Sequence, residues 1–265
     1  MGRKRKKNVK TAPFFVAFFK KGRYNNTEES EKDKKMEEVS KITKTDVMAF
    51  CFMTFFSGAM IGIGGTASLF ANHLFGAWGK IIGALLFSFG IFMIIAYEMR
   101  LFTGMVAEIP KMGVKNYWKL PVCFVGNALG VAFIALLVSI SPLKEIVVPQ
   151  GASVIATKLA AETWYTNALG SSILCGMLIT LSVWSVRYAP KKGLSVTVGV
   201  LFPIVVFAFC GFDHSVANML YFYFYGQISW QIVGYVLISI LGNILGGVLL
   251  PIVTLWKEKS SAKSL

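Results

Sequence analysis

The chain has 265 residues, 55% of them hydrophobic and only 15% charged, and its mean hydropathy of +0.62 excludes an ordinary soluble domain. Its net charge of +14 would suit a nucleic-acid binder, but 14 of the 27 Lys/Arg fall in residues 1–46. The others alternate between successive connections, a pattern of membrane topology that argues against DNA or RNA.

In chain order, residues 1–46 read as a basic cytoplasmic tail. Within it Pro13–Phe19 is apolar but too short to span, which suits an interfacial helix or a plug. No signal-peptide layout precedes the first long apolar stretch, near Val47, so the first span must target the chain. A helix crossing ~30 Å of hydrocarbon needs about 20 mostly apolar residues. Charge-free intervals run from Asp46 to Lys80, Lys80 to Glu98, Lys119 to Lys144, Glu162 to Arg187 and Lys192 to Asp213. A last interval, Asp213 to Lys257, holds 43 residues, twice one span, and predicts a turn at Tyr225–Ser229 around Gly226. Six spans result, over residues 47–256, followed by a short cytoplasmic tail, 257–265. Lys/Arg are dense on every second connection, which places both termini in the cytoplasm and requires an even number of spans.

Cys51, Cys123, Cys175 and Cys210 all lie inside apolar stretches with no CxxC or histidine beside them. They read as small packing residues, and neither a metal nor another cofactor is expected. His73, at the outer end of the first span, reads as an interfacial residue.

An internal repeat links the two halves. Gly126-Asn127-Ala128-Leu129-Gly130 recurs 116 residues later as Gly242-Asn243-Ile244-Leu245-Gly246. Three spans in each half put the second half into the membrane from the opposite side, an inverted pair with its pathway at helices interrupted near the midplane. Each middle span carries such an interruption: Tyr97-Glu98-Met99-Arg100-Leu101-Phe102-Thr103-Gly104 and Gly211-Phe212-Asp213-His214-Ser215-Val216-Ala217-Asn218. A shift of 116 sets His214 over Glu98. Irregular backbone at membrane depth is tolerated only where it is buried in protein or lines a wet cavity, and ionisable residues there read as functional.

These residues resemble the formate/nitrite transporter family over roughly Thr45–Trp256. Gly211-Phe212-Asp213-His214-Ser215-Val216-Ala217-Asn218-Met219 is similar to the family's Gly-Phe-Glu-His-Ser-Ile-Ala-Asn-Met signature, and Leu101-Phe102-Thr103 to the loop interrupting the second helix. Phe56–Gly62 and Gly242–Gly247 also fit. The resemblance implies an all-α membrane protein with six transmembrane helices, an aquaporin-like inverted 3+3 repeat with helices 2 and 5 broken, and a homopentamer in which each protomer has its own pore. It implies His214 as the central pore histidine and Asp213 in place of the usual Glu. Leu101 and Thr103 match loop residues at the cytoplasmic side, Phe87, Ile91 and Phe207 the apolar constrictions, and Lys158 a basic residue of the outer vestibule. Two departures stand out: Gly176 where formate- and nitrite-type members carry Asn, and Arg100 where an acid is usual. Gly176 would widen the pore and make it less polar, as in the hydrosulfide-channel branch.

The resulting expectation is a channel, not an enzyme, in lipid of a bacterial inner membrane. It would pass small monovalent weak-acid anions, hydrosulfide first, then formate or nitrite. A bare anion crosses an apolar ring at high cost, whereas a weak acid can take a proton beside His214 and cross Phe87/Phe207 neutral. The alternatives are a formate/nitrite transporter proper and, behind it, an aquaporin-like water or glycerol pore, whose Asn-Pro-Ala pairs are missing from both interruptions.

Overall fold

The computed structural model describes residues 43–188 and 193–262, so the expected tail and its Pro13–Phe19 segment lie outside the described residues. Lys44–Leu265 forms one unit made of helices. In order these are α1 (Lys44–Leu74), α2 (Gly79–Ala96), α3 (Phe102–Val106), α4 (Lys119–Ser139), α5 (Lys144–Ala160), α6 (Trp164–Tyr188), α7 (Gly193–Cys210), α8 (Ala217–Tyr225) and α9 (Trp230–Ala262).

Among the described residues, five helices are long and apolar enough to cross a membrane: α1, α2, α4, α6 and α9. A sixth apolar stretch, Thr197–Cys210 in α7, is shorter. Large apolar side chains such as Phe52, Leu85, Phe89, Leu136, Leu241 and Leu249 stay exposed, as helices solvated by lipid require. The polar side chains turn inward instead: Thr54, Thr103, Asn127, Asp213, His214 and Asn243 are all buried.

Both interruptions end a helix in the same way. At the end of α2, Glu98 has φ of 53° and the Met99 N–H reaches back to the Ile94 carbonyl at 2.9 Å. At the end of α7, Gly211 has φ of 72° and the Phe212 N–H reaches the Phe207 carbonyl at 3.0 Å. A left-handed residue followed by a six-to-one bond is the Schellman stop, which terminates a helix in mid-apolar sequence without orphaning its last carbonyls. Short helices α3 and α8 then resume the run. The turn after α8 falls at Gly226, in the left-handed region, where the length of the last charge-free interval predicts it.

The charge-free intervals leave one helix unread. Residues between the third and fourth spans, expected as a loop, form α5, whose Val147, Gly151 and Ile155 recur every fourth residue on one buried face. Lys144, Glu145 and Lys158 sit at its ends, so the charges that marked a loop cap a partly buried helix.

Small residues let the long helices touch. Cβ atoms built on Gly130 and Gly246 would fall 2.7 Å from the Ala59 backbone nitrogen and 3.0 Å from that of Met177, respectively. These glycines therefore pack α4 on α1 and α9 on α6 in matching fashion.

Candidate functional site

Each interruption is held by the repeat asparagine of its own half. Asn127 on α4 accepts the Phe102 N–H at 2.8 Å and donates to the carbonyls of Arg100 at 2.9 Å and Thr54 at 2.7 Å. Asn243 on α9 accepts the Ser215 N–H at 2.8 Å and donates to the carbonyls of Asp213 at 2.9 Å and Ser172 at 2.8 Å. One carboxamide thus satisfies two backbone groups that the helix break would otherwise strand in an apolar interior, each worth about 1–3 kcal/mol if left unpaired, and ties them to a carbonyl of the neighbouring long helix, α1 or α6.

This matched bonding sets the register of the repeat within the interruptions, and it corrects the sequence alignment. Glu98 pairs with Gly211, Arg100 with Asp213, Leu101 with His214 and Phe102 with Ser215, a spacing of 113. The 116-residue shift holds for the asparagines but not for the breaks, because the connections between them differ in length.

The two interruptions meet at His214. Its Nδ1 accepts the Ala217 N–H at 3.1 Å, so the ring proton belongs on Nε2, which lies 2.9 Å from Thr103 Oγ1. With Nε2–H donating, the Thr103 hydroxyl keeps its own proton to offer to a third group. The Phe207 ring lies against that of His214 with centroids 5.8 Å apart, and Phe87 meets Phe207 edge-on at 5.5 Å. Phe87, Phe207, His214 and Thr103 therefore follow one another as a buried line from apolar to polar, drawn from α2, α7, the second break and α3. Ile91 lies one turn beyond Phe87 on α2, and Leu101 is buried in extended backbone just before α3.

Asp213 does not face this line alone. Its Oδ1 accepts from Lys158, from Asn218 Nδ2 at 2.8 Å and from the Tyr235 hydroxyl at 2.9 Å. Its backbone N–H donates to Ser171 Oγ at 2.9 Å. Lys158, at the end of α5, thus pairs with Asp213 and also bonds the Gly211 carbonyl at 3.3 Å. Lys158, expected as a basic residue of the outer vestibule, is thus ion-paired.

Gly176 lies elsewhere. A Cβ on it would fall 2.9 Å from the Gly247 nitrogen and closer still to the Asn243 carbonyl oxygen, where α6 packs on α9. The expected widening of the pore at Gly176 is therefore corrected: the glycine answers to a helix contact with no room for an asparagine. Tyr235 and Asn243 were missed as site residues. The repeat marked Asn243, and Tyr235 stands two helical turns before it on the same face of α9.

Comparison with known proteins follows the same lines. The sequence profile described as formate/nitrite transporter matches residues 32–257. The uncharacterized transporter YrhG of Bacillus subtilis is 27% identical over 238 residues, spanning 80% of this chain and 85% of that one. Among solved structures, an FNT family ion channel has TM-score 0.68 at 24% identity, covering 82% of this chain and 92% of its own. A pentameric formate channel with formate bound has TM-score 0.64 at 18% identity, covering 83% and 99%. The two structures share the fold, the profile match covers most of the sequence, and on that ground the chain belongs to the formate/nitrite transporter family.

Proposed function

We propose that this chain is a multi-pass membrane channel for small monovalent weak-acid anions. The observation that carries this reading is the Thr103–His214 hydrogen bond at 2.9 Å, set directly against the Phe207/Phe87 pair. The Thr103 hydroxyl, fed by Nε2–H, donates to an arriving anion and holds it beside the aromatic pair until it takes a proton from the water that entered with it. The neutral acid then passes the aromatic pair at a small fraction of the several kcal/mol that a bare ion costs there.

Further parts of the reading rest on this one. α2 with α3 and α7 with α8 each count as one broken span, giving six spans as two inverted halves, with both termini in the cytoplasm of a bacterial inner membrane. The channel domain is 47–256, between tails 1–46 and 257–265. The exposed apolar helix faces suit lipid and neighbouring copies, and the fold likeness to a pentameric formate channel supports a homopentamer with one pore per protomer. Formate, nitrite and hydrosulfide all fit the chemistry. Hydrosulfide needs the least proton capture near neutral pH, but Gly176 adds nothing in its favour.

Flux in proteoliposomes tests the proposal, with formate, nitrite, acetate, hydrosulfide and chloride compared and water as a control. The weak acids are expected to pass and chloride to lag. Chloride moving as fast as hydrosulfide, or water moving without any anion, overturns it.

A further inference from the structure

The two breaks carry opposite charges at matched places. Arg100 and Asp213 offer their backbone carbonyls to Asn127 and Asn243 in the same manner, so they are structural counterparts. Asp213 is buried and shares its carboxylate with Lys158, Asn218 and Tyr235, so the second break presents a compensated charge. Arg100 is exposed, and no described carboxylate forms an ion pair with it. Glu98, also exposed, is the one acid on the same connection, and Lys111 further along is engaged by Glu258 at 3.2 Å.

We propose that Arg100 is the anion-collecting charge at the mouth of the first break, where it raises the local concentration of monovalent anions one residue from Leu101 and sets the apparent affinity on that side. The proposal rests on the channel reading above. The backbone of Arg100 is fixed by Asn127 and by the Cys123 thiol, which donates to the same carbonyl at 3.2 Å, so the guanidinium swings from an anchored point. It acts through its charge at a distance, so the planar fork of the guanidinium is not required. Among the described residues the two breaks are therefore polarised against each other, the first carrying a cation with no described carboxylate on it and the second the paired Lys158–Asp213.

The test is the concentration dependence of formate and hydrosulfide flux in proteoliposomes, at low ionic strength and with about 0.5 M inert salt. One unit charge at about 6 Å in water changes anion occupancy about threefold. Arg100→Gln is expected to raise the half-saturating concentration about threefold and Arg100→Glu about tenfold, with the maximal rate kept, while Glu98→Gln lowers it. Arg100→Lys should behave as the parent. In high salt, where the screening length shrinks to about 4 Å, the variants should converge. An unmoved half-saturation in Arg100→Glu at low salt overturns the proposal, as does a maximal rate that falls equally at both salt levels. A parent protein that carries no anion removes the channel reading and this one with it; parental flux with an unmoved Arg100→Glu removes this one alone.

Discussion

Replacing Gly176 with alanine puts the helix contact to a direct test. The added carbon would lie 2.9 Å from the Gly247 nitrogen and 3.0 Å from the Asn243 carbonyl carbon, with the carbonyl oxygen nearer than either. All are backbone atoms that no rotamer change can move aside, so α6 and α9 must part by about 1 Å. Overpacking of this kind costs about 1–3 kcal/mol, and the shift also stretches the bond from Asn243 to the Ser172 carbonyl of α6, which steadies the carboxamide that holds the second break. Together we expect a loss of about 3 kcal/mol, a fall of about 6–12 °C in melting temperature for a chain of this size. Thermal unfolding of detergent-solubilised protein reads it, with flux selectivity measured on the same preparation. Gly176→Asn should fare worse than Gly176→Ala. A Gly176→Asn protein with parental melting and altered preference among formate, nitrite and hydrosulfide would refute the packing account and restore a pore-wall role.

Three further outcomes follow from the site. Thr103→Val keeps the shape but strips the hydroxyl that His214 reaches at 2.9 Å, and should cut weak-acid flux about tenfold, with Thr103→Ser near parental; equal flux in valine and serine variants removes the hydroxyl from the mechanism. Glu98→Gly should raise stability by about 1 kcal/mol, because Glu98 holds φ of 53° where its counterpart is Gly211, and an unchanged or lower melting temperature would contradict the strain. Lys158→Ala should cost about 2 kcal/mol by leaving the buried Asp213 carboxylate without its cation, with part regained in Lys158→Ala/Asp213→Asn; a single variant as stable as the parent would show that the pair contributes nothing.

Much of this was written in the sequence, because lipid imposes a simple rule on it. Charge-free intervals follow from the cost of ions in hydrocarbon, so the long helices and the Gly226 turn were legible from spacing alone. Both breaks were legible too, since Glu98–Arg100 and Asp213–His214 have no other reason to sit in apolar sequence. What escaped was three-dimensional. α5 was hidden because its charges mark its ends, and its buried face is only three small or branched residues wide. The pairing of Lys158 with Asp213 joins residues 55 apart through a helix that the sequence did not announce. The size of Gly176 looked like open space, and only the neighbouring backbone shows it to be a contact. Register inside the breaks failed for a similar reason: a fixed shift assumes equal connections, whereas the asparagine bonds align the halves locally.

Asn127 and Asn243 hold the two breaks entirely through main-chain atoms. Nothing in that grip depends on which side chains the breaks display. The scaffold and the chemistry are thus separable, and the residues between the clamps behave as an exchangeable cartridge. A histidine installed at Leu101, the counterpart of His214, would sit on a backbone already shaped to carry one. On the channel reading proposed above, selectivity is then open to change at a handful of positions while the bundle around them stays as it is.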